Sequence, residues 1–526
     1  MSLTRRSVLL AAGAAALPRF AIAQADTRPS LTIAVQKLST SGTLDILREA
    51  SNVGTRWYNL FSEPLIETAW TGDLSARPGL ATAWRRIDER RLELELREGV
   101  RFQDGRPMTV EDVAFTFGAE RMWGGEGIPA AAAPPPEVVA SARGIFGGLE
   151  RIEIVNARTL RWVHRQGDLT LEGRLAHRGG CILPRHAWEA AGGWRGFFAR
   201  PTGTGPYRVV EWQLDRQLVL EAFDGYWGGR PPVKRLRFVE VPELASRLNG
   251  LFAGEYDFAC DIPPDQIPLV ERNPRFTVMG GPILNHRVTH LDASHPVLAN
   301  PLVRRALTHA VDRQAIVDSL WAGRTVVPPG LQFPFFGPML RQGWAVPAYD
   351  PAEARRLLRE AGYRGEPIPY RMLPGYYTAQ AATGQIQAEM WRAAGLNVEI
   401  QMMENWSQVL ARGPGRGLYE HSVSAFFNDP VSYVADVYGP QGTQQRGGFW
   451  RNAEFDTLLP VLETATDMAR RARAWARMLE ILEREDPAVH ILHQTANFTA
   501  LRRGLRWRPA QSFVMDFRAG NFALAE

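Results

Sequence analysis

Lysine is almost missing from this chain: of 526 residues only Lys37 and Lys234 are lysines. Neither follows a glycine, which excludes a Gly-Lys-Ser/Thr phosphate loop and the nucleotide hydrolases built on it. Gly-x-Ser-x-Gly, His-Glu-x-x-His and Cys-x-x-Cys are absent as well, so the common hydrolase, metalloprotease and redox signatures have no counterpart here. With two cysteines, Cys181 and Cys260, no disulfide framework is available. One bridge in an oxidising compartment and two buried thiols remain equally open. His286, His290 and His295 lie close in sequence but lack the acids and supporting partners of a metal site, so they read as ordinary surface histidines of a strand or loop. No metal and no cofactor is expected.

What is present is the composition of a folded globular protein, 45% hydrophobic and 22% charged, with a length that predicts two to four lobes. The formal charge of +5 is an arginine effect. Arg5, Arg6 and Arg19 supply part of it from an acid-free N-terminal segment, and elsewhere bases alternate with acids, as in Arg85 to Arg90. No basic stripe results, so nucleic acid is not an expected partner.

The N-terminus has the three parts of an export signal. Arg5-Arg6 precede the apolar run Val8 to Leu17, and Ala21-Ile22-Ala23 or Ala23-Gln24-Ala25 offers small residues for cleavage. The run is about half of the ~20 residues that cross a bilayer, so a signal over 1–25 is expected and a membrane-embedded chain is not. The arginine pair resembles a twin-arginine signal, although Val8 and Leu10 depart from that pattern, and the export route stays open. No cysteine lies near the cleavage region, so the expected product is soluble in the periplasm.

Leu31 to Val35 reads as a buried strand, and Leu92-Glu-Leu-Glu-Leu96 alternates as a half-buried one, as does Leu236 to Val241. Helix starts are punctuated. Thr109 and Asp112 have capping-box spacing, Asn300-Pro301 opens a second helix, and Asp312 caps a third that buries Ile316, Val317 and Leu320. Asp350-Pro351-Ala352-Glu353 supplies an N-cap, a proline at the first position and an acid at the third, ahead of Ala354, Leu357, Leu358 and Ala361 on one face. Strands interspersed with such helices predict α/β architecture. Gly124 to Pro136, Pro328 to Pro338 and Arg412 to Gly417 read as loops, and Gly203-Thr-Gly-Pro-Tyr207 as a turn, since it lacks the third glycine of a nucleotide loop.

Several stretches, in order, carry a family likeness: Tyr58 to Leu65, Pro78 to Trp84, Leu96-Arg-Glu-Gly-Val-Arg-Phe-Gln-Asp-Gly-Arg-Pro107, Gly203 to Tyr207, Tyr226-Trp-Gly-Gly229, Leu251 to Asp257, Val303 to Leu307 and Ala310 to Arg313. Over nearly the whole mature length the chain resembles the peptide/nickel-binding bacterial extracellular solute-binding proteins, family 5, which include the dipeptide- and oligopeptide-binding components of ABC importers. The resemblance implies a three-lobed periplasmic binding protein fold of class C. Lobe I is then expected from 26–58, 198–282 and 492–526, an inserted lobe II from 59–197 and lobe III from 283–491. A solute is held between lobes I and III and delivered to the permease subunits by a monomer with no catalytic residue. A sensor subunit that presents ligand to a membrane receptor, and an exported enzyme on the same scaffold, are the alternatives.

The family's charge anchors are missing. Peptide binders of this family hold the ligand's ammonium with an Asp upstream of an Asp-Pro pair. Here the stretch is Ser424-Ala-Phe-Phe-Asn-Asp-Pro430, and alignment on Asp429-Pro430 puts Phe426 at that position. Near Leu373 to Tyr377, where dipeptide binders carry an arginine for the carboxylate, tyrosines stand instead. A free dipeptide held at both ends is therefore not the expected ligand. Tyr376, Tyr377, Trp406, Phe426, Phe427 and Tyr433 are the candidates for an aromatic groove, each with core packing as the alternative. Asn428 and Asp429 complete that stretch, Asp429 as an acceptor for an amine after a small register shift. Ser39, Thr40 and Gly42, in the loop after the first strand, correspond to a ligand-facing loop of the family.

Overall fold

The computed structural model describes residues 26–525 except 50, 131 and 414. The export signal expected over 1–25 lies outside the described residues. A mixed ten-stranded sheet organises the chain. One half is built on Ser30–Val35, which pairs in parallel with Arg235–Glu240 and Phe258–Ala259, and continues through Gln217–Ala222 to Tyr207–Gln213. The other half consists of Val398–Met402, Ile368–Met372 and Leu418–Ser424. Two long antiparallel strands, Phe276–Leu291 and Val489–Arg502, belong to both halves and join them. The α/β expectation is met, and the expected strands at 31–35, 92–96 and 236–241 are found.

The shared strands do not pair evenly. Their ladder runs from Phe276↔Arg502 to Pro282↔Ala496, then resumes at His286↔Gln494. Ile283, Leu284 and Asn285 thus face the single residue Thr495, a bulge that interrupts the hydrogen bonding between the two halves. Just before it, Gly280 has φ 131°, and a Cβ there would lie 2.0 Å from the Asn497 carbonyl oxygen. Only glycine fits so close a backbone approach.

A separate four-stranded sheet, Ala81–Arg86, Arg91–Leu96, Thr159–His164 and Leu149–Ile154, stands on the first half. Leu92, Leu94 and Leu96 are fully buried or nearly so, while Glu93 on the other face pairs with Arg85 and Arg161. Gln103, in the segment that follows strand Arg91–Leu96, ties this sheet to the larger one. Its amide nitrogen donates to the carbonyls of Phe61, Gly205 and Tyr207 at 2.9, 3.0 and 2.7 Å, and its oxygen accepts from the Gly203 amide at 3.0 Å. Gly203-Thr-Gly-Pro-Tyr is therefore a turn, as read from sequence, and a Cβ at Gly203 would sit 2.1 Å from the Phe61 carbonyl oxygen.

The helix signals hold in detail. Asp350 accepts from the Ala352 and Glu353 amides at the start of Pro351–Glu360, and Asn300 and Asp312 cap Pro301–His309 and Arg313–Trp321. Thr109 and Asp112 form the capping box of Val110–Thr116. The histidine reading is corrected: His286 and His290 are 1% and 0% exposed, because the part of the shared strand that carries them, 283–291, is covered on both faces. Cys181 and Cys260 are free and buried in one cluster, Cys260 resting 3.8 Å from the Met515 sulfur.

Candidate functional site

The two halves of the large sheet meet at a cleft beside the strand bulge. Short segments separated by hundreds of residues line it. One cavity, of about 30 Å³, is walled by Lys37, Asp261, Arg287, Tyr376, Tyr377 and Asn497, among others. A second, of about 20 Å³, has Tyr58, Trp70, His177, Arg178, Phe426 and Ser424 in its wall. Asn52 and Phe513 line both, so the two are neighbouring parts of one cleft. Each has room for little more than a water or two, which marks this conformation as closed. Ala176 is shared in turn by the second cavity and a third, of about 310 Å³, that includes Leu74, Met339, Phe427, Asn428, Asp429 and Arg471.

Cross-cleft contacts are specific. Asn52 Nδ2 donates to Ser422 Oγ at 3.0 Å, and Ser424 Oγ donates to Asn52 Oδ1 at 3.4 Å. Phe426 packs edge-on to His177 at 4.7 Å between ring centres, with the Arg178 guanidinium 5.2 Å from its ring. Arg178 also donates to the Ser51 carbonyl at 3.2 Å and to the Thr55 hydroxyl. In the first cavity Arg287 lies 3.5 Å over the Tyr377 ring and pairs with the fully buried Glu420. Burial, only partly offset by Arg287 and by the Ser422 hydroxyl, pushes the Tyr377 phenol up to about 12, so it is a neutral hydrogen-bond donor at physiological pH.

Of the residues singled out in the sequence, Tyr376, Tyr377 and Phe426 line the cleft cavities. Trp406 stands behind them, half-buried and edge-on to Tyr376 at 5.2 Å. Ser39 and Thr40 spend their donors inside the protein. The Ser39, Thr40 and Ser41 hydroxyls, with the Thr40 and Ser41 amides, all point at the Glu49 carboxylate, and the Gly42 amide donates to Ser39 Oγ at 2.9 Å. Burial alone would raise Glu49, but these hydroxyls, the Ser51 hydroxyl and the Ser41 amide outweigh it and hold the carboxyl below its usual range.

The Phe427 to Tyr433 stretch turns away from the cleft. Phe427 is 7% exposed and packs on Gly173, where a Cβ would come within 2.6 Å of its ring. Asn428 is exposed and lies with Asp429 at the third cavity. Asp429 is not the amine acceptor expected of it, since Arg471 already pairs with it at 2.8 Å in a buried setting. Tyr433 is core: 2% exposed, with its hydroxyl donating to the Leu331 carbonyl. Asn52, Arg178, Arg287 and Phe513 were not found from sequence. Arg287 had one available signal, a cation inside a strand otherwise patterned for burial.

A cleft walled by aromatic rings and amides, at the junction of two bodies joined by a broken pair of strands, defines a two-body solute-binding protein. The model of the bacterial extracellular solute-binding proteins, family 5 Middle, matches residues 75–445, and the chain belongs to this family. It is 26% identical over 416 residues, 76% of this chain and 77% of the relative, to a glutathione-binding protein of Salmonella typhi, and 25% identical over the same length to that of Escherichia coli K12. Solved structures share the fold. A dipeptide-binding protein of Pseudoalteromonas sp. SM9913 in complex with Met-Leu has a TM-score of 0.80 at 19% identity, covering 94% of this chain and 100% of that one. A binding protein of A. tumefaciens R10 in complex with agropinic acid has a TM-score of 0.77 at 18% identity, covering 94% and 99%.

Proposed function

We propose that this chain is the periplasmic substrate-binding component of an ABC importer, capturing a peptide-like or other small organic solute between the two halves of its large sheet and presenting the closed, loaded form to the permease. The observation that carries this reading is the Asn52 bridge to Ser422 and Ser424 across a cleft bordered by the strand bulge. Closure needs a weak place in an otherwise continuous sheet. Residues 282–286 and 494–496 provide it, with lobe I on one side, lobe III on the other, and the inserted lobe II carrying Arg178 to the cleft mouth.

Ligand closes such a protein only by as much as it binds the closed state better. A micromolar solute has about 8 kcal/mol available, ample for a hinge whose states differ by a few kcal/mol. Relatives whose names specify glutathione, and neighbours solved with a dipeptide or agropinic acid, support a small organic ligand. No residue here is assigned a chemical step. Native mass spectrometry of protein freshly isolated from the periplasm tests the reading. A bound small organic mass, released unchanged on denaturation, is expected. Conversion of the released compound on incubation with fresh protein would contradict it.

A further inference from the structure

The charge inventory of the cleft narrows the solute, on the understanding that this cleft is where solute is captured. Asn52 and Phe513 line both of the first two cavities and Ala176 borders the second and the third, so that on opening of the cleft the three would line one trough. The charged side chains in its wall are already engaged by other groups of this chain, most of them by an opposite charge. Lys37 sits 3.0 Å from Asp215 and 3.1 Å from Glu240, and Asp261 sits 2.6 Å from Arg56. Arg287 pairs with Glu420, and Asp429 with Arg471. Glu172 accepts from Arg86 at 2.9 Å. Arg178 is engaged by the Ser51 carbonyl at 3.2 Å, by the Thr55 hydroxyl and by the Phe426 ring. His177 is neutral, since burial and then the neighbouring Arg178 press it well below its usual range.

A free ammonium or carboxylate entering this trough has two outcomes. It stays unpaired in a water-poor cleft, or it breaks a pair that is already made, and both cost several kcal/mol. Neutral amides and hydroxyls meet no such penalty. The middle of the trough is bordered by Ser512 and by Asn52, Asn285 and Ser424, which bond one another and Ser422 and Thr495 as neutral groups that a ligand amide can replace at little net cost. Its far end sets Leu74, Phe336, Met339 and Met468 beside the paired Asp429 and Arg471. We propose that the trough selects an elongated, uncharged, amide-rich ligand: a peptide whose ends are blocked or closed into a ring, with an apolar substituent toward Met339.

Calorimetric titration and small-angle scattering with an N-acetylated, C-amidated tetrapeptide library, the same library with free ends, and glutathione test this. Blocked peptides should bind at least about tenfold tighter than their free counterparts, as expected when a buried charge goes unmatched, and should compact the protein. Free peptides or glutathione binding as tightly, with compaction, would overturn the uncharged-ligand inference and leave solute capture standing. Compaction with no probe at all would count against peptide capture itself and take the inference with it. A double variant, Asp215→Asn with Glu240→Gln, releases the half-exposed Lys37 ammonium and keeps a side-chain oxygen at 240 for the Leu38 amide, from which Glu240 accepts at 2.9 Å. It should tighten binding of C-terminal acids several-fold over wild type while leaving amides unchanged, as a newly unmatched cation predicts. An equal change for acids and amides would contradict the matched-charge account.

Discussion

Asn52 and Ser422 hold the closed cleft together, amide to hydroxyl at 3.0 Å, although 370 residues separate them in sequence. One such hydrogen bond contributes about 1 kcal/mol. Asn52→Ala should therefore shift the unliganded equilibrium about fivefold toward open forms, visible as a changed population in single-molecule energy transfer between dyes on the two halves. An unchanged distribution would show that the bridge does not hold the cleft.

Gln103 offers a stability test far from the cleft. Removing its amide takes the side-chain partner from the Gly205 and Tyr207 carbonyls and the Gly203 amide in a buried setting, while the Phe61 carbonyl keeps the Gly205 amide at 3.2 Å. Gln103→Ala is expected to cost about 2 to 4 kcal/mol in urea unfolding, since unsatisfied buried groups keep their full desolvation penalty. Gln103→Glu should be no better, because it replaces the donor with a buried charge.

His286 predicts a pH dependence. Burial, opposed weakly by its bond to the Gln332 carbonyl, lowers the ring from 6.5 to about 3, and it stacks on Phe333 with 3.9 Å between centres. A folded value below the unfolded one means that the unfolded chain takes up the proton first as pH falls. The ring's contribution is then fully present above pH 6.5 and is lost progressively down to about pH 3. Urea-unfolding curves of wild type and His286→Gln, compared across that window, should converge as the pH drops. A constant difference would mean that the imidazole is not held neutral.

The two thiols give a simpler check. Burial raises Cys260 to about 11, and Cys181 further still; a thiol held protonated and out of solvent does not react. Ellman's reagent should find no reactive thiol in native protein and both after denaturation, without reductant. Prompt native labelling would contradict the buried placement.

How much was legible in the sequence follows from how local each feature is. The cap at Asp350 and the alternation at Leu92 to Leu96 depend on neighbours within a few residues, and both were read correctly. Phe426 was reached by alignment within the family likeness, and the turn at Gly203 from the missing third glycine of a nucleotide loop. The partners of Asp429 and Tyr433 were not, because Arg471 and Leu331 come from 42 and 102 residues away, and an Asp-Pro pair looks the same whether its carboxylate faces ligand or a buried guanidinium. The same distance hid Arg178 and Arg287. Leu373 to Tyr377 itself holds no cation, and Arg371 just ahead of it donates to the Ala411 carbonyl at 2.7 Å, yet the fold lays Arg287 directly on Tyr377.

Small-angle scattering on protein carrying its periplasmic solute, set against the same preparation stripped by unfolding and refolding, tests solute capture most directly. The loaded sample is predicted to be the more compact, and the stripped sample to return to the compact curve when its own extract is added back. Superposable curves from the two preparations would contradict capture by closure.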